Sequence, residues 1–216
     1  VTATSSNTDV ALGDLDLDGV LDAVVCDADT LYRFELATGS QTGVRHGFGC
    51  SDVAIGQIDG DSQLEIAIAG NQTGGYVLDG VTLAVEWGDL EGFGERIALG
   101  DLDGDGRDEI LAASDFAYDA RALDPETNSE LWRIPGDYYA SSLLVADLDP
   151  SPGSEAIVKS YYSQISVLVG ATGELIRAHP SQTSSISRFA AADTDGDGDL
   201  ELLWGADSCC SNASLW

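Results

Sequence analysis

Residues 100–112 read GDLDGDGRDEILA. Counting from Asp101 as loop position 1, acids stand at positions 1, 3 and 5, another closes the loop at position 9, and an apolar run follows at once. The frame recurs as GDLDLDGVLDAVV (13–25), GQIDGDSQLEIAI (56–68), ADLDPSPGSEAIV (146–158) and ADTDGDGDLELLW (192–204). The first slots are Asp14, Gln57, Asp101, Asp147 and Asp193, spaced 43 to 46 residues apart. Self-similarity at such a period marks an architecture of stacked supersecondary units.

The register extends upstream of the acids. Four residues before each slot stand Val10, Val53, Ile97, Leu143 and Phe189, and two before stand Leu12, Ile55, Leu99, Val145 and Ala191. Between them lie Ala11, Ala54, Ala98, Leu144 and Ala190. Large and small residues in alternation are a period-2 strand signal. A strand with one small face suits the crowded axis of a radial array. Downstream of the loops come apolar runs at Val24–Val25, Ile66–Ile68, Ile110–Ala112, Ile157–Val158 and Leu202–Trp204. Third runs follow at Leu31–Leu36, Gly75–Leu78, Ala120–Leu123 and Ile165–Val169, and fourth runs at Leu83–Trp87, Glu130–Ile134 and Glu174–Ala178. Four short strands per repeat, with no helical pattern, predict an all-β chain: a β-propeller with five four-stranded blades, residues 1–216 forming one domain. The last repeat stops inside its third strand at Ser214-Leu215-Trp216, and Val1–Ser5 stands where a fourth strand belongs. The ring either closes with five blades or forms part of a larger one.

Composition narrows the function. Nine Lys and Arg stand against 38 Asp and Glu, for a net charge of −29, and Lys159 is the sole lysine. Such a surface argues against nucleic acid and anionic lipid as partners. No apolar run is long enough to span a membrane, so no membrane insertion is expected. With no Met, at position 1 or elsewhere, the chain reads as a processed or excised segment. The four cysteines, Cys26, Cys50, Cys209 and Cys210, make no Cys-x-x-Cys pair, and His46 and His179 lie far apart, which disfavours zinc.

The chemistry resides in the acidic loops. Carboxylates at positions 1, 3 and 5 of a tight turn point inward together, the position 7 carbonyl joins them, and the position 9 acid closes the shell. Such like charges repel unless a cation sits among them. Hard, flexible oxygen ligands in this number suit calcium, and the closing acid at 9 between strands departs from the helix-flanked EF-hand. The expected ligands are Asp14, Asp16, Asp18, Val20 and Asp22 in loop one, and Asp59, Asp61, Gln63 and Glu65 in loop two. Loop three offers Asp101, Asp103, Asp105, Arg107 and Glu109, and loop four Asp147, Asp149, Ser151, Gly153 and Glu155. Loop five offers Asp193, Asp195, Asp197, Asp199 and Glu201. Up to five calcium ions are expected, with sites two and four weaker because Gln57 and Ser151 each remove a charge.

With these loops the chain resembles the FG-GAP/VCBS repeats of integrin-α-like β-propellers. Gly47-Phe48-Gly49 and Gly92-Phe93-Gly94 match their Phe-Gly element, the Gly-Ala-Pro element is missing, and Ala171-Thr-Gly-Glu and Asp124-Pro-Glu-Thr also look like quinoprotein-type turns. The resemblance implies calcium in the loops, a secreted or cell-surface setting, and most commonly seven blades.

Opposite the acidic loops, the blade scheme gathers Phe48, Phe93, Phe116, Tyr118, Tyr138, Tyr139, Tyr161 and Tyr162. An aromatic-rich face predicts a protein or glycan ligand. Asp9, Asp52, Arg96, Ser142 and Arg188 are expected around the axial mouth on that face. Cys26 and Cys50 fall at one edge of it and are expected to be bonded, while Cys209 and Cys210 form either a vicinal disulfide or a free pair. Asn71-Gln72-Thr73 and Asn212-Ala213-Ser214 fit the glycosylation pattern. No nucleophile elbow, phosphate loop or His-centred triad is present, so the expectation is a binding or adhesion module and not an enzyme. The alternatives are a carbohydrate-binding propeller, lectin- or polysaccharide-lyase-like, or a structural segment of a larger surface protein.

Overall fold

The computed structural model describes residues 8–27, 29–70, 74–114, 119–135, 142–159, 164–180, 186–206 and 214–215. These residues contain strands and no helix. Blade one is β1 (Thr8–Gly13), β2 (Asp22–Asp27), β3 (Thr30–Glu35) and β4 (Ser40–His46). Blade two is β5 (Asp52–Gly56), β6 (Glu65–Gly70), β7 (Gly74–Asp79) and β8 (Val85–Asp89). Blade three is β9 (Arg96–Gly100), β10 (Glu109–Ser114), β11 (Asp119–Asp124) and β12 (Ser129–Pro135). Blade four is β13 (Leu143–Ala146), β14 (Glu155–Lys159), β15 (Gln164–Val169) and β16 (Leu175–Pro180), and blade five is β17 (Ile186–Ala192), β18 (Glu201–Ala206) and β19 (Ser214–Leu215). Each sheet pairs its strands antiparallel in chain order, as the repeats predict.

One irregularity repeats. The pairing of third and fourth strands slips by a residue at Arg33/Phe34, Val77/Leu78, Ala122/Leu123 and Val167/Leu168, the same place in four blades. A bulge there increases local twist, as a radial sheet requires.

The first strands form the inner row, with β1 beside β5, β5 beside β9, β9 beside β13 and β13 beside β17. The alternation seen in the sequence is the packing rule between them. Ala11 shares a core with Val53 and Ile55, Ala54 with Ile97 and Leu99, and Ala98 with Leu143 and Val145. Leu144 takes the small position against Phe189 and Ala191. The glycine ahead of loops one to three follows the same rule. A Cβ on Gly13, Gly56 or Gly100 would collide with Ile55, Leu99 or Val145 of the next blade. Blade one's own large face is open: Val10 and Leu12 are each 56% exposed, whereas Val53 and Ile97 are buried. Among the described residues no comparable contact joins β17 to β1.

The expected open aromatic face is not found at Phe48 and Phe93. Both are buried, Phe48 edge-on to Tyr76 and Phe93 stacked on Trp87. Gly92 and Gly94, with φ of 78° and 76°, turn the Phe93 ring inward, and the bare Cα of Gly75 leaves room for it. The other six aromatics lie outside the described residues, as do Cys209, Cys210, Asn71, Asn212 and Val1–Ser5. Of the residues expected around the axial mouth, Asp52 accepts the Ile97 amide at 2.9 Å, with Arg96 at 4.0 Å. Burial, with the Asp9 carboxylate beside it, pushes Asp52 up to about 7.

Cys26, at the end of β2, and Cys50, just before β5, form a disulfide with Cα atoms 6.0 Å apart and a sequence separation of 24. Both are buried in the core shared by blades one and two. Closing a loop of that length restricts the unfolded chain by roughly 3 kcal/mol. The double variant Cys26→Ala, Cys50→Ala is expected to melt well below the native protein. Equal midpoints in a thermal scan would show that the bond adds nothing to the junction.

Candidate metal centre

Each acidic loop is anchored at two points. In loops one to four the residue at position 2 plugs an interblade core: Leu15, Ile58 and Leu102 are fully or nearly buried, and Leu148 packs on the fourth core. Its amide donates to the position 9 carboxylate: Leu15 to Asp22 at 3.3 Å, Ile58 to Glu65 at 2.6 Å and Leu102 to Glu109 at 2.7 Å. Leu148 donates to Glu155 at 2.6 Å and Thr194 to Glu201 at 2.7 Å. The position 9 acid is thus a latch as well as a candidate ligand. The sequence signals the plug through the apolar residue after the first slot of loops one to four, where loop five has the exposed Thr194, but that role was not among the expectations.

The position 1 carboxylate organises the turn. In loop three Asp101 accepts Gly104 at 2.7 Å and Gly106 at 2.9 Å, and in loop five Asp193 accepts Gly196 at 2.6 Å and Gly198 at 3.1 Å. Position 3 then accepts the position 5 amide, Asp103 from Asp105 at 3.1 Å and Asp195 from Asp197 at 3.2 Å. Loop one forces Leu17 to φ 58° where loops two, three and five have glycine, a conformation that costs an L-residue roughly 1–2 kcal/mol.

Three carboxylates, rather than the expected four, come together in each complete loop. Oxygens within 4.8 Å of one another are offered by Asp14, Asp16 and Asp18, by Asp101, Asp103 and Glu109, and by Asp193, Asp195 and Asp197. Asp22 is held by its latch and by Arg33 at 2.9 Å, and Asp105 is paired with the Arg107 side chain at 3.1 Å. In loop two Asp59 and Glu65 group with Glu86, a β8 residue absent from the expected set, and Asp61 stays apart. Loop four gathers no such group among the described residues; Pro150 stands at position 4, and Ser151 turns its hydroxyl to Glu155 at 3.4 Å. The donors in loops three and five are hard oxygens only, which fits calcium and not a soft metal.

Loops also bind one another. The position 8 amide of one loop donates to the position 1 carbonyl of the preceding loop: Asp108 to Gln57 and Ser154 to Asp101, both at 2.7 Å. The Asp108 carboxylate returns a bond by accepting the Gln57 amide at 2.8 Å.

Burial dominates the electrostatics. It pushes Glu109 from the ordinary 4.5 up to about 8 and Glu65 up to about 7, against the lowering effect of the Leu102 and Ile58 amides. Asp103 is raised by burial and by Asp105 and Asp101, and Glu155 is raised by burial. A carboxyl whose folded pKa is raised keeps its proton after the unfolded chain has lost it. Stability is then full below about 4.5 and falls as pH climbs towards 8. In chelator the melting temperature is expected to drop between pH 5 and 8, and Glu109→Gln is expected to flatten that drop. A chelated native protein whose midpoint rises over this interval would contradict the assignment.

The FG-GAP repeat family matches residues 93–128, a span that contains loop three and the buried Phe93 turn. No curated protein matches the chain in sequence. Among solved structures, BBS1N in complex with ARL6DN, soaked with mercury, aligns with a TM-score of 0.68 at 15% identity, over 92% of this chain and 61% of that one. Sqt1 of Saccharomyces cerevisiae aligns with a TM-score of 0.68 at 10% identity, over 92% of this chain and 56% of that one. The chain thus spans about three-fifths of the length of these structures, and the likeness is one of fold. Residues 93–128 match an FG-GAP repeat, in a chain with the fold of a β-propeller.

Proposed function

We propose that this chain is a calcium-stabilised, non-catalytic propeller module of a secreted or cell-surface protein, and that it binds a protein partner. The observation that carries the calcium reading is loop three. There Asp101, Asp103 and Glu109 converge beside a buried latch, and burial has already made Glu109 hard to ionise. Two unit charges 4 Å apart repel by about 4 kcal/mol at an effective dielectric of 20. Bound calcium would supply the opposing charge and let all three carboxylates ionise. Asp101 and Asp103 would hold it from the turn, and Glu109 from the strand, while keeping Leu102 latched.

The remaining parts have separate support. The Cys26–Cys50 disulfide suits an oxidising compartment, where millimolar calcium would fill sites of roughly 10⁻⁴ to 10⁻³ M affinity. A protein partner is favoured by analogy with BBS1N, whose structure was solved in complex with ARL6DN. A net charge of −29 favours a partner with a basic surface. The carboxylates of loops two to five accept backbone amides within their own loops, as expected of structural rather than catalytic acids.

A filled site that binds only the native state adds about 2.7 kcal/mol at a 100-fold excess over Kd. For a chain of this size, this corresponds to a shift on the order of 5 to 10 °C per site. Melting in calcium is expected to exceed melting in chelator by at least that much, and Asp103→Asn is expected to lose part of the difference. Identical midpoints in calcium and chelator would contradict the calcium reading.

A further inference from the structure

We propose that loops one and two carry built-in substitutes for the cation, the Arg33 guanidinium and the Gln57 carboxamide, so that the demand for calcium falls on loops three and five. The proposal deepens the calcium reading and rests on it for loops three and five only.

In loop one the substitute comes from the third strand. Residues equivalent to Arg33 in the bulged register are Val77, Ala122 and Val167, all apolar. Arg33 instead reaches the loop from within the protein, its side chain 6% exposed. Nη2 lies 2.6 Å from Asp16 and 2.9 Å from Asp22, which occupy positions 3 and 9. Nη1 donates to the carbonyls of Gly80 and Val81 in blade two at 3.4 and 3.5 Å. Nε finds no partner among the described residues, so the group is held by its contacts to the loop and blade two. The loop registers the diversion: Asp18 donates to Asp14 at 3.0 Å, whereas in loops two to five the position 5 amide turns to position 3. A buried guanidinium between two carboxylates supplies the positive charge that an ion would supply.

In loop two the substitute is the position 1 residue itself. Gln57 Oε1 accepts the Gly60 amide at 3.1 Å, just as Asp101 and Asp193 accept at position 4. Its Nε2, at the place of the second carboxylate oxygen, donates to the carbonyls of Asp61 at 2.7 Å and Gln63 at 3.0 Å. The Gln63 carbonyl is the position 7 ligand, and it is already satisfied by a neutral donor.

The test counts calcium equivalents by titration calorimetry on the full chain and on single variants, with folding checked by circular dichroism. Gln57→Asp restores the acid, and Arg33→Val restores the residue of blades two and four. Each is expected to add one calcium equivalent, and Arg33→Val is expected to melt lower than the native chain in chelator but not in excess calcium. An Arg33→Val chain that folds only with calcium supports the proposal equally. Gln57→Asp is a change in an exposed loop and decides independently of whether Arg33→Val folds. A folded Gln57→Asp or Arg33→Val chain with an unchanged count overturns the proposal, as does loss of an equivalent in Asp18→Asn or Asp61→Asn. Asp195→Asn serves as the separate control and is expected to remove one equivalent. A native chain that binds no calcium defeats the reading of loops three and five, while the gains in the two variants still decide the inference.

Discussion

In blades one to four a buried carboxylate at the start of the second strand accepts the amide of the residue that plugs the core at the head of the acidic loop. This bond joins Glu109 to Leu102, Glu65 to Ile58 and Glu155 to Leu148, with each acid almost fully removed from water. The loop's conformation, the end of the inner strand and the start of the next strand are fixed by it together. Its cost is the desolvation of an acid beside other acids, and burial accordingly drives these carboxyls upward. Loops two, three and four therefore hold an electrostatic problem at the same place, and the sequence differs from blade to blade in what stands beside the latch.

The blades are not independent in this. Inner strands interlock small face to large face, and the loops are bonded in series through Asp108 and Ser154. Arg33 spans a junction, touching the acids of blade one and the carbonyls of Gly80 and Val81 in blade two. Loop three lies between loops two and four in this series, and it is within the segment that matches an FG-GAP repeat.

Much of this was legible in the sequence, because the repeat aligned residues with the same physical task. The inner strands showed themselves through Val53-Ala54-Ile55 and its counterparts, and the disulfide through the two cysteines at one edge of one face. Strand β4 was not legible: Ser40–His46 has no apolar run, is mostly exposed, and is a strand only because β3 offers it an edge. Arg33 was hidden because its partners are 17 and 11 residues away, and the equivalent position in the other blades is apolar. Gln57 read as a lost charge, whereas its amide makes two new bonds. The inward turn of Phe48 and Phe93 depends on space left by residues such as Gly75, which lies in a different strand from the turn it accommodates.

The loops share one latch and differ in what neutralises it. Native-state hydrogen exchange at the position 2 amides addresses it directly, since these amides are the latch donors. On adding calcium, Leu102 and Thr194 should exchange markedly more slowly, while Leu15 and Ile58, whose loops carry Arg33 and Gln57, should change little. Equal slowing at all four amides, or at none, would contradict the account.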